Sequence, residues 1–152
     1  MKITPEMLKA HDACESQYNL FVELFPDGVE ITEELCVKHA QDFDFVWAGL
    51  HLMPRSAWRA YDAAMGPHVK DFEEATGSYY RAFEEAMFPH RKAYSRAVAL
   101  HGEAYSEALK AHWEAYEEAI APHWKTYEEA MTPHWKAYDE ALAREFFRYS
   151  QL

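Results

Sequence analysis

Aromatic and alanine positions recur along most of this chain with a period of eleven. From Ser56 to Ala143 the sequence divides into eight consecutive units of eleven residues without insertion or deletion, the clearest being PHWKTYEEAMT at Pro122 and PHWKAYDEALA at Pro133. The sixth residue of every unit is aromatic (Tyr61, Phe72, Phe83, Tyr94, Tyr105, Tyr116, Tyr127, Tyr138), and the ninth is always alanine. Eleven residues span about three helical turns, at about 3.67 residues per turn against 3.6 for a straight α-helix, so equivalent positions nearly superpose. Around the axis the positions fall in the order 1, 5, 9, 2, 6, 10, 3, 7, 11, 4, 8, and the residue types sort along it. Position 5 is mostly alanine and position 9 always so, position 2 is histidine in six units, including His112, His123 and His134, and position 6 is the aromatic. Position 10 is mostly Met, Leu, Ile or Val, and position 3 includes Trp58, Trp113, Trp124 and Trp135. Position 4 is basic in six units and position 8 acidic in six, which makes a narrow polar arc. An isolated helix with so wide an apolar arc would expose more apolar surface than soluble proteins tolerate, so it must meet another helix, its own or a partner's.

Proline sets the alternatives. Pro67, Pro89, Pro122 and Pro133 all stand at position 1, where each removes a backbone hydrogen bond and crowds the preceding turn. Either a long helix is kinked in phase, or the prolines open new helices, as Thr132-Pro133 would with a threonine cap. Thr76-Gly77-Ser78 is the strongest break signal, because glycine can end one helix and serine cap the next; Gly66-Pro67 is second and Gly102 third. A hairpin at one of these lets the array bury its own aromatic face. Without one, the array is a rod of about 130 Å, drifting toward a right-handed supercoil.

The first 55 residues have a different pattern. Thr4 caps a helix that starts at Pro5, with Glu6 in the first turn. Met7, Leu8, His11, Cys14, Tyr18, Phe21 and Phe25 recur at three and four, which predicts one apolar face on a helix of about twenty residues ending at Pro26-Asp27-Gly28. Ile31-Thr32 repeats the opening Ile3-Thr4, so Lys2-Ile3 and Val29-Ile31 are two short extended pieces able to pair. Helices are expected from Glu33 to about Gln41 and, after a turn at Asp42 to Asp44, from Phe45 to Met53 before Pro54. The fold expected is therefore all-α: a compact helical head over residues 1–55, followed by a repeat array over residues 56–152 made of long, proline-kinked or hairpinned helices.

Composition narrows the function. The net charge of the 152 residues is −11, which argues against duplex nucleic acid bound through phosphate neutralisation and against an anionic membrane surface. A basic or amphipathic protein partner is easier to accommodate. No secretory leader pattern and no apolar run of about 18 residues stands in the sequence, so a cytoplasmic location is expected. His11 and Cys14, and Cys36 and His39, are each three apart and would project from one side of a helix, a possible two-Cys, two-His zinc site; the simpler reading is a packed core with free thiols. Histidines eleven apart on one helix lie about 16 Å from each other and share no ion. They fit partly buried pairs with Tyr at i+4 instead, and would charge together below about pH 6 and weaken association. A Trp-Tyr stripe can stack nucleobases, but such sites need a basic groove, and this arc is acid-rich. Adjacent glutamates on the solvent arc read as solvation rather than acid/base chemistry. No nucleophile setting or phosphate loop occurs, and no cofactor is expected. Proline-punctuated eleven-residue repeats are also similar to the lipid-binding helices of exchangeable apolipoproteins, but alanine and histidine hold half of the apolar arc here and leave too little greasy area.

The head carries a second resemblance. Ala13-Cys14, Gln17, Phe21, Phe25-Pro26, Gly28, Ile31-Thr32 and the stretch from Ala40 to Leu50 resemble the amino-terminal segment of small, largely uncharacterised proteins of phages and prophage-bearing bacteria. There, as here, a tract of short repeats with tyrosine, glutamate, alanine and proline follows. The resemblance implies a mobile-element accessory protein that interferes with a host defence component, and it supplies no catalytic residues. The expected function is thus non-enzymatic: binding a protein partner, or a second copy, through Trp58, Tyr61, Tyr94, Tyr105, Trp113, Tyr116, Trp124, Tyr127, Trp135 and Tyr138 with His112, His123 and His134. The competing expectations are a self-assembling rod and a zinc protein or enzyme using His11, Cys14, Cys36 and His39.

Overall fold

A computed structural model describes the backbone of residues 1–101 and 106–152, and the side chains of residues 1–99 and 110–152. The order of elements is β1 (Lys2–Ile3), α1 (Pro5–Ala10), α2 (Glu15–Leu24), β2 (Val29–Glu30), α3 (Glu33–Lys38), α4 (Phe45–Leu52), α5 (Arg55–His101) and α6 (Ser106–Ser150). The fold is all-α apart from the β1–β2 pair, which is antiparallel with Lys2 opposite Glu30 and Ile3 opposite Val29. None of the described helices is long and apolar enough to cross a membrane.

Local signals set most head boundaries. The Thr4 hydroxyl accepts from the Met7 amide at 3.4 Å, the Thr32 hydroxyl from Leu35 at 3.1 Å, and the Asp44 carboxylate from Trp47 at 2.8 Å. Each satisfies an amide that the first helical turn leaves unpaired. Gly28 has φ 74° and follows the Phe25-Pro26-Asp27 turn, closed by its amide on the Phe25 carbonyl at 3.0 Å. A Cβ there would stand 2.6 Å from the Ile3 carbonyl oxygen, so the turn and the β1–β2 pairing both require glycine.

The single twenty-residue helix expected from Pro5 to Phe25 is two helices, α1 and α2. The break is a Schellman cap: Asp12 adopts φ 55°, its amide bonds the Lys9 carbonyl at 3.3 Å, and the Ala13 amide reaches the Leu8 carbonyl at 3.0 Å. Asp tolerates this left-handed conformation better than most residues. The cap redirects the chain so that both Leu8 and Phe21 are buried. Gln17 then clamps the turn before α4, donating to the Asp42 carbonyl at 3.0 Å and accepting from the Asp44 amide at 3.1 Å.

The long helices hold the second difference. Neither Gly66-Pro67 nor Thr76-Gly77-Ser78 breaks α5, which runs through both. An interior glycine costs about 1 kcal/mol, less than burial of the seam residues beside it: Thr76, Met87 and Met131 are all buried. Pro122 and Pro133 lie inside α6 without ending it. The four prolines are solvent-exposed, so water can take the carbonyls they leave unpaired. Thr132 does not cap a new helix at Pro133; its hydroxyl donates back to the Glu128 carbonyl at 2.7 Å. Gly102, the third candidate break, lies outside the described residues, as does Tyr105.

The chain divides into two compact units, residues Met1–Phe72 with Trp135–Leu152, and residues Glu73–His134. The first contains the main core, in which Ile3, Leu8, Phe21, Cys36 and Phe45 of the head join Tyr61, Met65, Leu142 and Phe146 of the long helices. Residues 1–55 thus share one core with both ends of the array. Gly49 of α4 lets this happen: a Cβ there would lie 2.8 Å from the Tyr61 ring.

Candidate functional site

In each unit α5 and α6 run side by side in opposite directions, and the repeat dictates the register. In the first unit Phe72 meets Tyr138, with ring centres 5.1 Å apart. In the second, Phe83 meets Tyr127 at 4.8 Å and Tyr94 meets Tyr116 at 5.6 Å. In these three pairs position 6 of α5 meets position 6 of α6. Position 2 behaves likewise: His90 meets His123 at 5.8 Å, Tyr79 meets His134 at 5.7 Å, and His68 lies 3.9 Å from Glu145. Position 10 completes the seam with the buried Met87 and Met131 in the second unit and Met65 and Leu142 in the first. The spacing 2, 6, 10 is the three-and-four stripe of a coiled coil.

The expected interaction face is therefore split. Tyr61 is fully buried in the core, and Trp58 packs against it at 5.6 Å. Tyr94, Tyr116, Tyr127 and Tyr138, with His123 and His134, are half-buried between α5 and α6. They meet the chain's own other helix rather than solvent. His112 is exposed at the edge of a groove.

Two flanks of the seam remain open in the second unit. One is small: grooves of about 300 Å³ and about 250 Å³ recur at the same repeat positions, the first floored by Ala82, Ala86 and Ala130 and the second by Ala93, Ala97 and Ala115. The other flank carries tryptophan. Trp113 touches Tyr94 and Tyr116, each at 5.5 Å, and Trp124 touches Phe83 at 5.4 Å and Tyr127 at 5.8 Å. These contacts cover part of each indole, while 44% of Trp113 and 48% of Trp124 stay exposed. Tyr80, at the same repeat position on α5, is exposed as well.

Beside the tryptophans runs a charge row at position 7, distinct from those at positions 4 and 8. Position 7 is acidic in six of eight units: Asp62, Glu73, Glu84, Glu117, Glu128 and Asp139. It follows position 3 by four residues and so shares its side of the helix. Glu117 and Glu128 are exposed, and no described cation pairs with either carboxylate. Glu84 is paired with Arg91, the residue at position 3 of the next unit. In the first unit the counterpart differs, for Asp139 lines a cleft of about 260 Å³ with Phe43, Asp44 and Val46. Burial pushes its carboxyl pKa up.

The four candidate metal ligands are not brought together. Cys14 is exposed at the N-cap of α2, whereas Cys36 is buried in the core. His11 caps the end of α1 and its ring meets His51 at 6.3 Å; His39 ends α3 and bonds the Asp42 carboxylate at 2.7 Å. The Schellman turn removes the helix face that His11 and Cys14 were expected to share. Among the described residues no group of three or more His, Cys, Asp or Glu is placed to hold a metal ion. The thiols differ accordingly: the Ser16 hydroxyl and the Gln17 amide lower the Cys14 pKa, while burial pushes Cys36 up to about 11. An apolar cavity of about 70 Å³ in the head, lined by Leu8, Phe21, Phe25, Cys36 and Phe43 among others, is below the ~150 Å³ of a cavity that admits benzene.

The chain is thus all-α, with a small capped-helix head and two long helices that lie side by side within each unit. Comparison with protein-family models, with curated proteins and with solved structures finds no match to this chain.

Proposed function

We propose that the protein is a non-enzymatic binding protein whose array engages a protein partner through the open tryptophan side of the α5–α6 pair. The observation that carries this reading is the half-exposure of Trp113 and Trp124 beside Tyr94, Tyr116 and Tyr127, which the seam half-buries. Tryptophan is enriched at the centres of protein interfaces, where its large amphipathic ring is desolvated, and large aromatic residues left exposed at the same position of neighbouring repeats mark a contact surface. The amino-terminal resemblance to phage and prophage proteins supports the version in which the partner is a host defence component that the protein blocks in the cytoplasm. The acidic row argues against a self-assembling rod joined through this side, because two such sides would bring like charges together.

Full-length protein, with three variants, tests the assignment by capture from a host lysate. Partners that are lost with Trp113→Ser plus Trp124→Ser, and retained with Leu24→Ser plus Leu50→Ser on the exposed surface of the head, bear it out. The reverse pattern assigns binding to the head. A Trp113→Phe plus Trp124→Phe variant keeps an aromatic ring at both places and separates loss of the face from loss of the fold.

A further inference from the structure

We propose that the partner of the tryptophan side is a basic amphipathic helix, held by aromatic–acid pairs that recur every eleven residues in the second unit. This rests on the protein-binding reading above and names the class of partner. The pairs are Trp113 with Glu117 and Trp124 with Glu128, each four residues apart on α6, hence one turn apart on one side of the helix. Both tryptophans are half-exposed, and both carboxylates are exposed. A lysine or arginine laid over the indole face is attracted by the ring's quadrupole, and a carboxylate about 6 Å along the helix takes its charge. The two pairs are about 16 Å apart along α6, three helical turns, so a partner helix lying alongside presents cations in phase if its own charges recur every eleven residues. On α5 the same positions hold Tyr80 and Glu84, but Glu84 is already paired with Arg91, so the exposed Tyr80 adds ring area and the two α6 pairs supply the charge.

Charge complementarity decides between occupants. A second copy would set Glu117 and Glu128 against an identical acidic row, and an acidic partner would do the same. The second unit carries eleven acidic residues against six basic ones over residues 73–134, a balance of −5. An anionic membrane is disfavoured for that reason. Area agrees with a single helix: three aromatics about half exposed offer roughly 100 Å² each, a few hundred Å² in all, against the ~800 Å² per partner typical of a stable protein dimer.

The test is isothermal titration of the purified full-length protein with two synthetic 22-residue amphipathic peptides, alike in their leucine face but carrying lysine in one and glutamate in the other on the flanks. The lysine peptide is expected to bind and the glutamate peptide not, with affinity falling about ten-fold between 50 and 300 mM salt. Glu117→Gln plus Glu128→Gln should weaken binding several-fold, and Trp113→Ser plus Trp124→Ser at least ten-fold. Glu23→Gln plus Glu34→Gln on the head, the same change in net charge, should leave it within two-fold. Equal losses from the two glutamine pairs would mean general attraction to an acidic protein and would overturn the proposal. So would indifference to the tryptophans, binding of neither peptide, or sedimentation of the free protein as a dimer in which Trp113 and Trp124 are shielded from quenchers. If lysate partners still depend on the tryptophans while the lysine peptide fails to bind, the partner class is wrong and the protein-binding reading stands.

Discussion

The Tyr61 side chain is fully buried, and its hydroxyl has no hydrogen-bond partner among the described residues. The ring packs edge-on to Phe146, 6.3 Å away, and lies against the α4 backbone at Gly49. An unpaired hydroxyl in an apolar interior costs about 1–3 kcal/mol. Tyr61→Phe removes that cost and gives up a few dispersion contacts of about 0.1–0.2 kcal/mol each. The variant is therefore expected to be more stable by about 1 kcal/mol, a rise of about 3 °C in Tm for a chain of this size. Urea denaturation followed by circular dichroism measures it at neutral pH. Alkaline pH gives a second, independent reading. Burial, reinforced by negative charge on Tyr138, Asp44 and Glu145, raises the Tyr61 pKa above its ordinary value. Below about pH 10 the phenol is neutral in both folded and unfolded chains; above it the unfolded chain ionises first, and wild-type stability falls by up to about 1.4 kcal/mol per pH unit. Phenylalanine has no such proton to lose, so the advantage of Tyr61→Phe should widen between pH 10 and 11. The raised pKa of Tyr138 is common to both proteins and cancels in the comparison. A Tyr61→Phe protein that is less stable than wild type by 1 kcal/mol or more, or an advantage constant from pH 9 to 11, would refute the reasoning.

Three further outcomes follow from the packing. Gly49→Ala places a methyl 2.8 Å from the Tyr61 ring and should cost about 1–3 kcal/mol, read as a lower urea midpoint. Asp12→Gly relieves the left-handed residue at φ 55° and should stabilise by about 0.5 kcal/mol, whereas Asp12→Ile should destabilise by more than that. In the native protein an aromatic disulfide reagent should modify the exposed Cys14 rapidly, its pKa lowered by Ser16 and the Gln17 amide, and modify the buried Cys36 only as the chain unfolds. Equal rates for the two thiols would contradict the placement of Cys36 in the core.

What this sequence determines by itself is what depends on near neighbours. Thr4, Thr32 and Asp44 cap because the amides they serve are three residues away, and the Phe25-Pro26-Asp27-Gly28 turn closes on its own carbonyl. The eleven-residue period likewise sets which residues share a helix side and how wide an apolar arc must be covered. Tertiary structure decides what covers it. Gly77 and Pro67 were the clearest break signals, yet their local cost of about 1–3 kcal/mol is smaller than what the long helices gain by burying Met65, Met87, Met131 and Leu142. That gain is invisible in any one segment because it comes from residues dozens of positions apart. The same holds for Asp12, whose left-handed turn is unremarkable until Leu8 and Phe21 must enter one core. Finally, the sequence sorts position 3 with the aromatics. Only the pairing of position 6 with position 6 shows that the tyrosines are consumed in the seam, while Trp113 and Trp124 are left facing out beside Glu117 and Glu128. A helix surface has two flanks for every seam, and the choice of seam decides which residues each flank presents.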